Sequence, residues 1–112
     1  MDAEMEIFNI ISNGGDAKAI AYEALELAHK GRFDQAGKKM EEANKILTKA
    51  HNTQTKLIQK EINGEKTEMS LLMVHAQDHL MSAISEISLI EQMIKILRRV
   101  VESEENTRGE KV

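Results

Sequence analysis

Apolar positions recur every three or four residues along nearly the whole chain, the spacing of one face of an α-helix. Three such stretches are set apart by Gly31 and Gly64. The first, from about Asp2 to Lys30, holds MEIFNII and AIAYEALELAHK and is interrupted at Gly14-Gly15. Each interior glycine costs a helix about 1 kcal/mol against alanine, so the pair implies a kink or a close approach by another part of the protein. The second, from about Phe33 to Ile62, carries the register Phe33, Ala36, Met40, Ala43, Leu47, Ala50, Leu57, with Gln54 as its polar interruption. Residues this small suit close antiparallel neighbours. The third, from about Lys66 to near Glu104, carries Met69, Leu72, Ala76, Leu80, Ala83, Ile87, Ile90, Ile94, Leu97 and Val101. Gly31, after His29-Lys30, and Asn63-Gly64 read as helix stops. The pattern predicts an all-α fold, an antiparallel up-down-up three-helix bundle over residues 1–104, with a charged tail over residues 105–112 expected to be disordered.

Composition supports that reading. A chain of 112 residues makes one domain, since a second would leave neither half a sufficient core. There is no proline where average usage would give about five or six, and only three aromatics, Phe8, Tyr22 and Phe33. Both facts favour long helices over turn-rich β structure. The absence of cysteine removes disulfides, thiolate metal sites and thiol nucleophiles. With Lys+Arg 15 against Asp+Glu 19, the net charge is −4, which disfavours non-specific binding to nucleic acid or anionic membrane. The start of the chain is acidic where a secretory signal is basic, and purely apolar runs stop at four residues. A cytoplasmic protein without membrane insertion is expected.

The third helix carries a second stripe. With residues placed 100° apart, Leu71, Val74, Asp78, Ser82, Ser85, Leu89, Ile96 and Val100 fall on the side away from the core register. A lone bundle should show water a charged face there; an apolar one reads as a seam where copies of the third helix meet, or as a patchy surface of single exposed apolar residues, with Gln92 and Arg99 falling near the same face. Asp78 would then be repeated by symmetry, and the clustered carboxylates would need protons, water or a bridging cation. A hard ion such as Mg²⁺ would suit three of them.

Of the four histidines, His29 reads as a residue favoured by the dipole at a helix end, and His51 as a structural residue beside the core. The segment Met73-Val74-His75-Ala76-Gln77-Asp78-His79-Leu80-Met81 is richer, because His75, Asp78 and His79 share one helix face. Three readings compete. The trio could bind a transition metal such as Zn²⁺. One imidazole, nucleophilic when neutral, could carry a phosphoryl group. Both histidines could simply edge the core.

Four strings carry a resemblance: II-x-NGG-x-A (residues 10–17), AYEAL (21–25), AHNTQT-x-LIQKE (50–61) and LLMVHAQDHLM (71–81). On them the chain resembles the enzyme IIA component of the lactose/cellobiose (diacetylchitobiose) class of the bacterial phosphoenolpyruvate-dependent sugar phosphotransferase system, from about Met5 to Arg99. The resemblance implies a three-helix subunit assembled as a homotrimer through the third helix. It also implies that His75 accepts phosphate from the histidine-containing phosphocarrier protein and passes it to a cysteine of the cognate IIB component, for uptake of a β-linked disaccharide. Asp78 matches the residue that holds a divalent cation, expected as Mg²⁺, shared at the trimer axis. His79, one turn from His75, would orient it or donate to the phosphate, and Leu71, Met73, Val74 and Met81 would supply apolar surface for partners. Gly14 stands where the family pattern leads to alanine. The alternative is a structural or metal-binding helical oligomer without phosphotransfer.

Overall fold

The computed structural model describes residues 3–65 and 70–110. Three helices, α1 (Ala3–His29), α2 (Phe33–Ile62) and α3 (Leu71–Glu110), make up the fold, with no strand among the described residues. They form a rod of 69 × 19 × 19 Å.

Both glycine stops close in the same way. Gly31, at φ 77°, donates to Ala28 O (3.0 Å), while Arg32 N donates to Leu27 O (2.9 Å). Gly64, at φ 90°, donates to Glu61 O (3.1 Å), while Glu65 N donates to Lys60 O (3.0 Å). This paired pattern satisfies the last carbonyls of a helix and needs a left-handed residue, which glycine adopts without a Cβ penalty.

The start of α3 differs from the expected one near Lys66. The helix begins at Leu71, because the Ser70 hydroxyl accepts a hydrogen bond from Met73 N (3.1 Å) and caps it. Residues 66–69, including Met69 of the expected register, lie outside the described residues. The far end also differs. Helix continues to Glu110, so residues 105–110 of the tail expected to be disordered are helical. No proline stands in the way; an Arg98–Glu102 ion pair (3.4 Å) and the Thr107 hydroxyl donating to Ser103 O (2.9 Å) bridge successive turns there.

Cross-links show how the helices lie. Lys60 and Lys39 of α2 pair with Glu6 (3.5 Å) and Glu23 (3.2 Å) of α1, so high numbers on one helix meet low numbers on the other. Asn44 and Gln54 of α2 donate to Glu91 and Gln77 of α3, again in opposite order. Lys18 of α1 reaches Glu86 of α3, in the same order as the meeting of Gly14-Gly15 with His79 farther up.

The core follows the small-residue register. Ala17, Ala21, Ala24, Ala28, Ala36, Met40, Ala43, Ile87 and Ile90 make one cluster; Ile7, Ile10, Ala50, Leu57, Met73, Ala76 and Leu80 make another. Alanines at the contact let backbones approach closely, so much of the stability comes from tight helix spacing. Met73, expected as partner surface, is 5% exposed and belongs to this core.

Candidate functional site

His75 lies one turn into α3 and is exposed. Its neighbours on the helix, Met73 and Ala76, are buried and so fix the helix face that carries it. His79, one turn on, is half-buried, and the two rings lie 5.6 Å apart between centroids at an interplanar angle of 57°. His79 is turned toward α1, with Nδ1 buried and without a hydrogen-bond partner. Asp78 is exposed on the other flank of α3, among Leu71, Val74, Leu89, Ile96 and Val100. Those five are large apolar residues left open to water, Leu71 at 85% and Ile96 at 61%.

The three-residue metal reading does not hold within one chain. Among the described residues no group of three His, Asp or Glu side chains can hold a metal ion. The physical reason is orientation: His79 turns in toward Gly14 and Gly15 of α1, while Asp78, roughly 100° round the helix, is exposed. His29 and His51 are both exposed, which removes the structural role expected for His51 beside the core.

The carboxylate of Glu86 was not singled out in the sequence. Lys18 Nζ lies 2.7 Å from its Oε2, the Tyr22 hydroxyl donates to Oε1 at 2.7 Å, and the Ser82 hydroxyl donates to Oε2 at 3.0 Å. The Lys18 and Tyr22 bonds, in that order, hold the Glu86 carboxyl down to about 2, against 4.5 for an ordinary one. The same bonds raise Lys18 and Tyr22. Placing Glu86 eleven residues from His75 returns it to nearly the same helix face, and Lys18 and Tyr22 are one turn apart on α1, so a helical wheel of both elements would have found the cluster. It fixes α1 against α3 directly below the histidine pair. A second missed pair, Gln54 and Gln77, joins α2 to α3 on the other side and turns Gln77 away from His75.

Residues 5–98 match the family described as PTS system, Lactose/Cellobiose specific IIA subunit. This chain belongs to that family. Among curated relatives, the lichenan-specific phosphotransferase enzyme IIA component of Bacillus subtilis (strain 168) is 47% identical over 104 residues, covering 91% of this chain and 94% of the relative. The crystal structure of the cellobiose-specific enzyme IIA from Bacillus anthracis superposes with a TM-score of 0.87 at 41% identity, covering 91% of this chain and 94% of that one. The diacetylchitobiose IIA of Escherichia coli, solved in complex with HPr, superposes with a TM-score of 0.79 at 35% identity, covering 89% and 97%. As a IIA component of this class, the chain is a phosphotransferase component of sugar transport. No described helix of this IIA component is long and apolar enough to cross a membrane.

Proposed function

We propose that this IIA component carries a phosphoryl group on His75, received from the histidine-containing phosphocarrier protein and passed to a cysteine of its cognate IIB component. The observation that carries the reading is the exposed His75 ring at the head of α3, inside LLMVHAQDHLM, with open apolar surface beside it. The E. coli relative, solved with HPr bound, supports the choice of donor.

A neutral imidazole nitrogen of His75 attacks the phosphorus of the donor's phosphohistidine in line. The new N–P bond forms as the donor's N–P bond breaks, and the donor leaves with its imidazole restored. The second transfer reverses the geometry, with a IIB thiolate attacking the phosphorus and His75 leaving. Little covalent work falls to the protein beyond positioning and charge stabilisation. His79 supplies a donor to the phosphoryl oxygens, and Val74 and Met81, both half-exposed, give partners adaptable apolar contact. Rapid release calls for small interfaces, at or below about 1,200 Å².

The up-down-up subunit assembles as a homotrimer, the exposed stripe of α3 meeting its copies. Asp78 stands inside that stripe, so assembly would bring three carboxylates together, and a divalent cation such as Mg²⁺ held by them would offset their repulsion and hold the assembly without acting on the phosphate. We place the exchange in the cytoplasm and its sugar among the β-linked disaccharides of the cellobiose, diacetylchitobiose and lactose type.

The test uses the purified chain with phosphoenolpyruvate and the general phosphocarrier components. The wild type is expected to gain one acid-labile phosphate, and His75→Ala to gain none while keeping its helical circular dichroism. A His75→Ala chain that still takes phosphate overturns the assignment.

A further inference from the structure

Gly14 and Gly15 lie in mid-helix against the ring of His79. A Cβ placed on Gly14 would stand 3.8 Å from His79 Nδ1, and one on Gly15 would stand 3.7 Å from His79 Cε1. These are ordinary van der Waals distances, so a methyl fits and any longer side chain competes with the ring for the same space. The helix does not break at the pair. Of the two possibilities that the sequence leaves open, the close approach is the one realised, and what approaches is a side chain.

The ring edge that meets the glycines is the Nδ1–Cε1 edge. Nδ1 is buried without a partner, although the residue as a whole is only half-buried. One nitrogen of a neutral imidazole carries the proton and the other a lone pair. Among main-chain groups a sealed N–H without an acceptor is rarer than an under-satisfied carbonyl oxygen, and the same ranking of donor and lone pair applies to a buried ring nitrogen. The lone pair therefore belongs on Nδ1 and the proton on Nε2, where water or a phosphoryl oxygen can accept it.

We propose that Gly14 and Gly15 are positioning residues for phosphotransfer: a floor on α1 that seats the His79 ring, fixes its proton on Nε2 and holds that donor beside His75. The inference rests on the reading of His75 as the carrier. It adds that α1, which contributes no reacting atom, sets the orientation and tautomer of the supporting histidine. The Lys18–Glu86–Tyr22 cluster, one to two turns farther along α1 and two turns farther along α3, keeps the floor in register with α3.

Two readouts test it. Nitrogen-15 NMR of the imidazole rings reports the tautomer of each histidine, and rapid-quench kinetics report phosphoryl acceptance by His75. The wild type is expected to show His79 with its proton on Nε2. Gly15→Leu and Gly14→Val are expected to show His79 with the averaged signals of a free ring and a transfer rate down by roughly ten- to a hundredfold, with circular dichroism unchanged. The proposal is overturned if the wild-type ring is already averaged or protonated on Nδ1, or if the bulky variants slow transfer without changing the His79 signals, or leave both unchanged. Should the bulky variants not fold, the wild-type His79 tautomer decides alone. A wild type that takes no phosphate defeats the carrier reading, while the His79 spectra still decide the seating.

Discussion

Glu86 shows how much one side chain can organise when three donors converge on it. Lys18, Tyr22 and Ser82 all point at its carboxylate, from two helices. Because its folded carboxyl titrates at about 2 and an ordinary one at 4.5, the contribution to stability is complete above pH 4.5 and is lost as pH falls toward 2. Glu86→Gln is expected to flatten that part of an acid-denaturation curve followed by circular dichroism, leaving the slope above about pH 5 unchanged. Raising the salt should shrink the difference, since the groups are partly solvated. At this scale the sequence was informative about His75 and less so about its surroundings. His75, Asp78 and His79 could be put on one face from spacing, but the partner of each lies on another helix or another chain. That His79 turns to Gly14-Gly15, and that Gln77 turns to Gln54, depends on how deeply α1 and α2 pack, which no local pattern records.

The helices themselves were mostly legible. α2 has the expected bounds, Phe33 to Ile62, because a small-residue register broken at Gln54 alone ends on a strong Asn-Gly stop. α3 differs from its expected bounds at both ends for physical reasons: the Ser70 hydroxyl caps it ahead of Leu71, and a polar helix persists to Glu110 where no proline breaks it. The polar interruption at Gln54 also has an explanation between elements. Gln54, 9% exposed, donates from its amide to Gln77 across the α2–α3 contact. Gln77→Leu leaves that amide buried without a partner, and urea denaturation is expected to show a loss of about 1–3 kcal/mol. The double variant Gln54→Leu/Gln77→Leu should recover most of it, since two matched apolar groups leave no orphan. Equal losses in the single and double variants would contradict this account of the pair.

Taken whole, the molecule is a narrow rod with an apolar stripe along the outside of its longest helix, Leu71, Val74, Leu89, Ile96 and Val100. A helical wheel of α3 marks the same face, because apolar side chains stand where a lone bundle would carry charge. Whether copies of the chain meet there is a relation between chains that spacing within one chain does not encode. If Asp78 is the one charged interruption of a trimer seam, Asp78→Leu should preserve or strengthen the trimer in sedimentation equilibrium while abolishing its divalent-ion dependence. Dissociation of that variant to monomers would contradict the seam. The central claim, however, is that one imidazole among four carries the phosphate. Phosphorylating the wild-type chain through phosphoenolpyruvate and the phosphocarrier protein, then locating the phosphorus by phosphorus–nitrogen coupling in the NMR spectrum, tests it most directly. The account predicts the phosphate on a ring nitrogen of His75 alone; phosphate on His29, His51 or His79, or on none of the four, would contradict it.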